Sequence, residues 1–212
     1  MRLYHFLPAK HALFDISKRR IKVAELDDLN DPFELFSVRL PSPAHRTVWR
    51  GFVRDVARSF GVICFSKSWK NPLLWSHYAD KHKGICLGFD VAHKYVEPVR
   101  YRCTRLPIDI RLNLPMGGLG QDEMREIFYT KFSGWRYEKE LRVGTRLSSK
   151  ETGRYFREFR GALRLREVIV GVRCKVPRHI IEKAVGRLTV RLIRARLAFN
   201  TFNVVVDKRG FK

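Results

Sequence analysis

Cysteine is scarce in this chain and shows no metal-binding spacing. Cys64, Cys86, Cys103 and Cys174 form no CxxC pair; buried free thiols are expected and a zinc site is not. No apolar run is long enough to cross a bilayer. The opening MRLYHFLPAKHALF lacks the hydrophobic centre of a signal peptide and starts like a strand, which predicts a cytoplasmic protein with no membrane partner. Internal repeats, low-complexity tracts and linkers are also missing, so the 212 residues read as one domain, 1–212. A hydrophobic fraction of 45% excludes wholesale disorder.

Acidic side chains are the sharpest shortage. Asp and Glu number 21 against 43 Lys and Arg, a formal charge of +22. Such an excess repels itself and favours polyanions. It is also lopsided: residues 154–212 hold sixteen basic and four acidic side chains, a local +12. Arginine dominates there, which suits bidentate phosphate contacts. Nucleic acid, RNA or DNA, is the expected partner, although a merely solubilising surface has the same composition.

What is present centres on ICFSKSWKNPLLWSHYADKHKGICLGF, Ile63 to Phe89. Val62–Phe65 is a short apolar strand, Asn71-Pro72 opens a helix, and Leu74, Trp75, Tyr78 and Ala79 recur at helical spacing. Gly84 marks the exit and Ile85–Phe89 is a second strand. Between the strands lie Ser66, Ser68, Trp75, Ser76, His77, Tyr78, Asp80 and His82. A helix over two strand ends can wall a pocket for a flat polar ligand. The same residues serve equally as an aromatic core helix with a wet outer face.

Elsewhere, Arg2–Leu7 reads as a first strand, Ala9–Arg19 as a helix and Ile21–Ala24 as a strand. ELDDLNDPFEL then places Glu25, Asp27, Asp28, Asp31 and Glu34 together, and Asn30-Asp31-Pro32 predicts a helix start. Capping and ion pairs with the chain's own arginines account for these acids more simply than a metal does. Pro41-Ser42-Pro43 breaks the chain before a helix through Phe60, and a strand lies near Val99–Cys103. Pro107 to Gln121 is a loop ending Gly117-Gly118-Leu119-Gly120, with no Gly-Lys-Ser/Thr to make it a phosphate cradle.

Asp122–Phe132 reads as a helix and WRYEKELRVG as a strand with Glu138, Glu140 and Arg142 on one face. Paired carboxylates at that spacing either hold a hydroxyl and stabilise a cation, or form an ion-pair ladder. Tyr155, Phe156 and Phe159 alternate with Arg154, Arg157 and Arg160, predicting a helix that lies on a phosphate backbone, with Arg164 beyond it. Glu167–Val172, a helix Pro177–Val185, Leu188–Ile193 and Ala198–Val206 complete an α+β pattern of mixed or antiparallel sheet with flanking helices.

LNDPFE, CFS with WSHYAD-KHKG-ICLGFD, WRYEKELR and the closing IVG together make the chain similar to the prokaryotic family catalogued as domain of unknown function twenty-nine seventy-one. A second resemblance is to the ADP-ribosyltransferase fold, in its toxin branch that modifies nucleic acid. That resemblance implies an NAD-using transferase, a toxin or phage-defence effector with an inhibitor or antitoxin protein as a further partner. It implies Tyr4, His5, Ser66, Trp75, His77 and Tyr78 as NAD-binding residues, with Glu140 or Glu138 as the catalytic carboxylate. The rivals are a non-catalytic nucleic-acid-binding module and a metal-dependent nuclease using Asp27, Asp28, Asp31 and Glu34.

Overall fold

The computed structural model describes residues 1–114 and 118–211; Gly117 of the glycine stretch lies outside them. β1 (Arg2–Leu7) is followed by α1 (Ala9–Lys18) and β2 (Arg20–Glu25). α2 (Pro43–Ser59) leads into β3 (Phe60–Ser66), α3 (Pro72–Tyr78) and β4 (Ile85–Val91). The short strands β5 (Glu97–Pro98) and β6 (Arg100–Arg102) precede α4 (Gln121–Phe128) and β7 (Thr130–Phe132). β8 (Glu140–Arg146), β9 (Tyr155–Glu158), β10 (Leu163–Val170), α5 (Arg178–Val185), β11 (Arg191–Leu197) and β12 (Val204–Val206) finish the chain. No helix among the described residues is long and apolar enough to cross a membrane.

Ten strands form one mixed, largely antiparallel sheet in the order β12-β11-β10-β4-β1-β3-β2-β9, with β8 and β5 branching from β3, and β6 and β7 pair separately. β10 and β11 run parallel, with α5 between them in the chain. The apolar face against α1 and α5 buries Leu3, Ile16, Ile63, Leu87, Val168 and Ile181. A second cluster under α2 holds Leu35, Trp49, Val62 and Ile127, and a third under α3 holds Phe6, Trp75 and Ile193. This is an α+β arrangement with flanking helices.

β3 is where the sheet opens. One edge pairs with β8 over its full length, from Phe60↔Arg146 to Ser66↔Glu140. The other edge is shared: β2 takes one end, at Gly61 and Val62, and β1 takes the other, at Tyr4↔Ser66. Between them the backbone of residues 63–65 faces a gap. A gap in a ladder leaves backbone groups to be satisfied by side chains, and this one becomes the wall of the main cavity.

α3 starts as its sequence dictates, with Asn71 Oδ1 accepting from the Leu73 N–H at 3.0 Å and proline at the first turn. Its exit is sharper than the sequence suggests. The helix stops at Tyr78, and Asp80, Lys81 and His82 all take positive φ before Gly84. Gly84 and Gly171 meet there: their backbones bond at 3.0 Å, and a Cβ on Gly171 would lie 2.4 Å from the His82 carbonyl.

Four segments differ from expectation. Residues 154–160 are not a helix: β9 pairs with β2, from Arg20↔Glu158 to Val23↔Tyr155. The open edge of β2 supplies backbone partners, and the Arg20 guanidinium lies 3.9 Å from the Phe156 ring centroid. Asn30-Asp31-Pro32 starts a turn, not a helix, because Leu35 takes φ +60 and its carbonyl accepts from the Trp49 indole at 2.9 Å. The helix expected to reach Phe132 ends at Phe128 and gives way to β7, which pairs with β6. WRYEKELR is a 3-10 turn, Ser133–Glu138, and becomes a strand only after Lys139, at φ +47.

Burial first, only partly offset by the Lys22 N–H and the charges of Arg20, Arg154 and Lys22, raises the Asp15 carboxyl to about 6. The native state therefore holds this proton more tightly than the unfolded chain does. That contribution is complete below pH ~4 and is lost as pH rises through about 6. Asp15→Asn should add roughly 2 kcal/mol at neutral pH and close to nothing near pH 4, read by urea unfolding at both values. Equal gains at the two pH values would contradict it.

Candidate functional site

A cavity of about 500 Å³ fills the gap between β1 and β2 along β3. Tyr4, His5 and Phe6 come from β1, Cys64 and Ser66 from β3, His77 and Tyr78 from α3, and Glu140 and Arg142 from β8. Leu29, Asn30 and Glu34 close it from the turn after β2, and Lys131 and Glu138 from the opposite end. Most of the expected site residues are thus in one place, drawn from four separate stretches of chain.

His5 spans the ladder gap. Its Nδ1 lies 2.8 Å from the Cys64 carbonyl, and a carbonyl only accepts, so Nδ1 carries the proton and Nε2 keeps its lone pair. Burial lowers its proton affinity, only partly offset by that hydrogen bond, and keeps the ring neutral. The ring lies deep in the molecule yet keeps part of its surface toward the cavity.

At the far end is a ring of ionic groups. Lys131 Nζ donates to Glu138 Oε2 at 2.7 Å and to Glu140 Oε2 at 2.9 Å. Arg142, 1% exposed, reaches Glu140 Oε1 through Nε at 2.7 Å and Glu34 Oε2 through Nη2 at 3.0 Å. Its Nη1 adds a second bond to Glu34 and one of 2.8 Å to the Phe128 carbonyl. Three carboxylates thus face two cations, so the fully ionised cluster keeps one net negative charge inside a chain of +22.

The two central carboxylates differ. Burial pushes Glu140 up, but Arg142 and Lys131 outweigh it and hold the carboxyl down at about 2. Both of its oxygens are committed to those cations. Glu138 is raised, because burial dominates over the help from Lys131 and Tyr78. Its Oε1 takes a hydrogen bond from Tyr78 OH, which also accepts from Asn30 Nδ2 at 2.8 Å. Burial first, and then the Glu138 charge, lifts the Tyr78 phenol far above its ordinary range, so it stays a donor.

The remaining expected residues divide. Ser66 lines the cavity, but its hydroxyl is committed to the Glu138 carbonyl at 2.6 Å, a bond that fixes the 3-10 turn. His77 lines it and packs on Tyr137, ring centroids 6.1 Å apart. Tyr4 lines it beside Gly88 and Glu167, and burial, then the Glu167 charge, raises its phenol to about 12. Trp75 does not wall the cavity. It is fully buried, donates to the Trp69 carbonyl at 2.6 Å and packs edge-on to Phe6. Its role is to seat α3.

The arginines do not form one face. Arg154 flanks β9, Arg157 sits within it with Nη1 3.3 Å from Thr145 Oγ1, and Arg160 pairs with Glu158. Arg164 is on β10, separated from β9 by four strands in sheet order. The acids of LNDPFE and its approach are engaged singly: Asp28 with Lys22, Asp31 with the Phe33 N–H, Glu34 with Arg142. Among the described residues no three His, Cys, Asp or Glu side chains converge as metal ligands.

Lys131 and Asn30 escaped the sequence reading. Lys131 sits seven and nine residues from its partners, two separations that no single helix or strand face joins, and Asn30 meets Tyr78 only through the fold. The Glu34–Arg142 pair had a signal in the acid cluster and the lone strand arginine, but nothing to match one to the other. Compared with known proteins, the chain matches no family model, no curated protein and no solved structure.

Proposed function

We propose that this chain is an NAD-dependent ADP-ribosyltransferase-like enzyme that acts on nucleic acid, in the manner of a toxin or phage-defence effector. The observation that carries the reading is the net negative charge of the Glu34–Glu138–Glu140–Lys131–Arg142 cluster at the end of a cavity in a strongly basic protein. Such a field suits a cationic nicotinamide ring and the oxocarbenium-like charge that grows as it leaves. NAD supplies the glycosidic bond that breaks, with the electron pair departing on nicotinamide. The acceptor's oxygen or nitrogen forms the new bond to the same carbon.

The chain's own groups have separate tasks. His5 Nε2, neutral and free to accept, holds a ribose hydroxyl. The Tyr78 ring flanks the nicotinamide, its hydroxyl fixed by Asn30 and Glu138. Glu138, with raised proton affinity, is better suited than Glu140 to take the acceptor's proton and pass it to water. Glu140, neutralised by two cations, positions Lys131 and Arg142. The volume lies in the usual range for small-molecule sites.

Incubation with labelled NAD and a mixed nucleic-acid pool, with and without magnesium, tests the proposal. Label should pass to the nucleic acid without need of magnesium. Tight, salt-sensitive binding with no transfer would favour a non-catalytic module instead, and magnesium-dependent cleavage a nuclease.

A further inference from the structure

A second cavity, of about 310 Å³, shares one wall with the first: Lys131 lines both. Its sides are the 33–37 segment and the 102–105 segment. They are stitched at the closed end by the Leu106 N–H to the Ser37 carbonyl, 2.6 Å, and the Arg39 N–H to the Leu106 carbonyl, 3.0 Å. The third side is β7, held parallel to β6 with Arg102 opposite Phe132.

Two features of its lining stand out. First, Phe33 and Phe132 are half exposed, at 51% and 52%, and both line it. Second, its charged lining residues are Arg102, Arg105 and Lys131, with no carboxylate among the described ones. Arg102 is shared with Glu126, and Lys131 with Glu138 and Glu140. Arg105 rests over the Phe33 ring, 5.4 Å from its centroid.

Exposed aromatic rings beside a guanidinium, in a lining with no carboxylate among the described residues, are what an unstacked nucleobase with its phosphate requires. We infer that this cavity is the acceptor subsite, holding one unpaired base of a single-stranded nucleic acid. Phe33 and Phe132 supply stacking surface, and Arg105 meets the adjoining phosphate. Its meaning as an acceptor site rests on the transferase reading, but the binding itself does not. The expected basic surface at 154–212 is not needed for it.

The test measures binding of short fluorescent single-stranded RNA and DNA by anisotropy, with no NAD present. Phe33→Ala and Phe132→Ala should each weaken binding at least about fivefold, the effect of losing one stacking ring. Because both rings are already half exposed, their thermal midpoints should stay near that of the parent. Arg105→Ala should flatten the slope of log affinity against log salt by about 0.7, one phosphate contact on a single strand. Wild-type affinity in both phenylalanine variants overturns the inference, as does a duplex or a free mononucleotide binding as tightly as the single strand. Binding as described without label transfer from NAD defeats the transferase reading alone. Transfer with unchanged binding in the variants defeats this one alone.

Discussion

Arg142→Met should cost about 3–5 kcal/mol of folding stability, the usual penalty for removing one partner of a buried ion pair. The guanidinium is 1% exposed and bonds Glu34, Glu140 and the Phe128 carbonyl. Without it Glu34 stays buried with no cation, and Glu140 keeps only Lys131. Against a whole-protein stability of about 5–15 kcal/mol, that is a severe loss, and the thermal midpoint should fall by roughly 10 °C. Adding Glu34→Gln to the same chain should recover part of the loss, because the uncompensated charge is the costly element. Urea unfolding of the two singles and the double measures this directly. Additive losses would mean that the two side chains do not act as a pair.

Glu138→Gln carries the second large effect. The amide has the carboxylate's shape, its one oxygen can accept from Lys131 while its NH2 donates to the Tyr78 hydroxyl, and Lys131 retains Glu140. Folding should survive, and transfer from NAD should fall by about a hundredfold or more, the scale of a lost general base or charge stabiliser. Glu140→Gln should behave differently. It strips an anion from two buried cations, so its loss of activity should come with a loss of stability. Full transfer by Glu138→Gln with a normal melting profile would remove Glu138 from the chemistry.

Much of the scaffold was legible because its signals are local. Asn71-Pro72 starts α3, the Pro41-Ser42-Pro43 break comes just before α2, and short apolar runs mark β1, β3 and β4. The 154–160 stretch was not, because its alternation of Arg with aromatic residues fits a strand as well as a helix. What decided it was the free edge of β2, which no local window contains. Nor does the left-handed turn at Lys139 have a sequence marker, since lysine has no preference for that conformation. The carboxylates at 138 and 140 share the cavity only because that turn and the Ser66 hydroxyl bring Glu138 round. Residue types therefore point to the candidate groups, whereas their charge balance exists only in three dimensions.

The distance along the chain between Glu34 and Arg142, 108 residues, has a consequence during synthesis. β1 gains a full-length neighbour only when Ile85–Val91 emerges from the ribosome, and Glu34 meets its cation later still. A nascent chain therefore carries Glu34 unmatched while the next 108 residues are made, and the pocket closes only once Arg142 has been added.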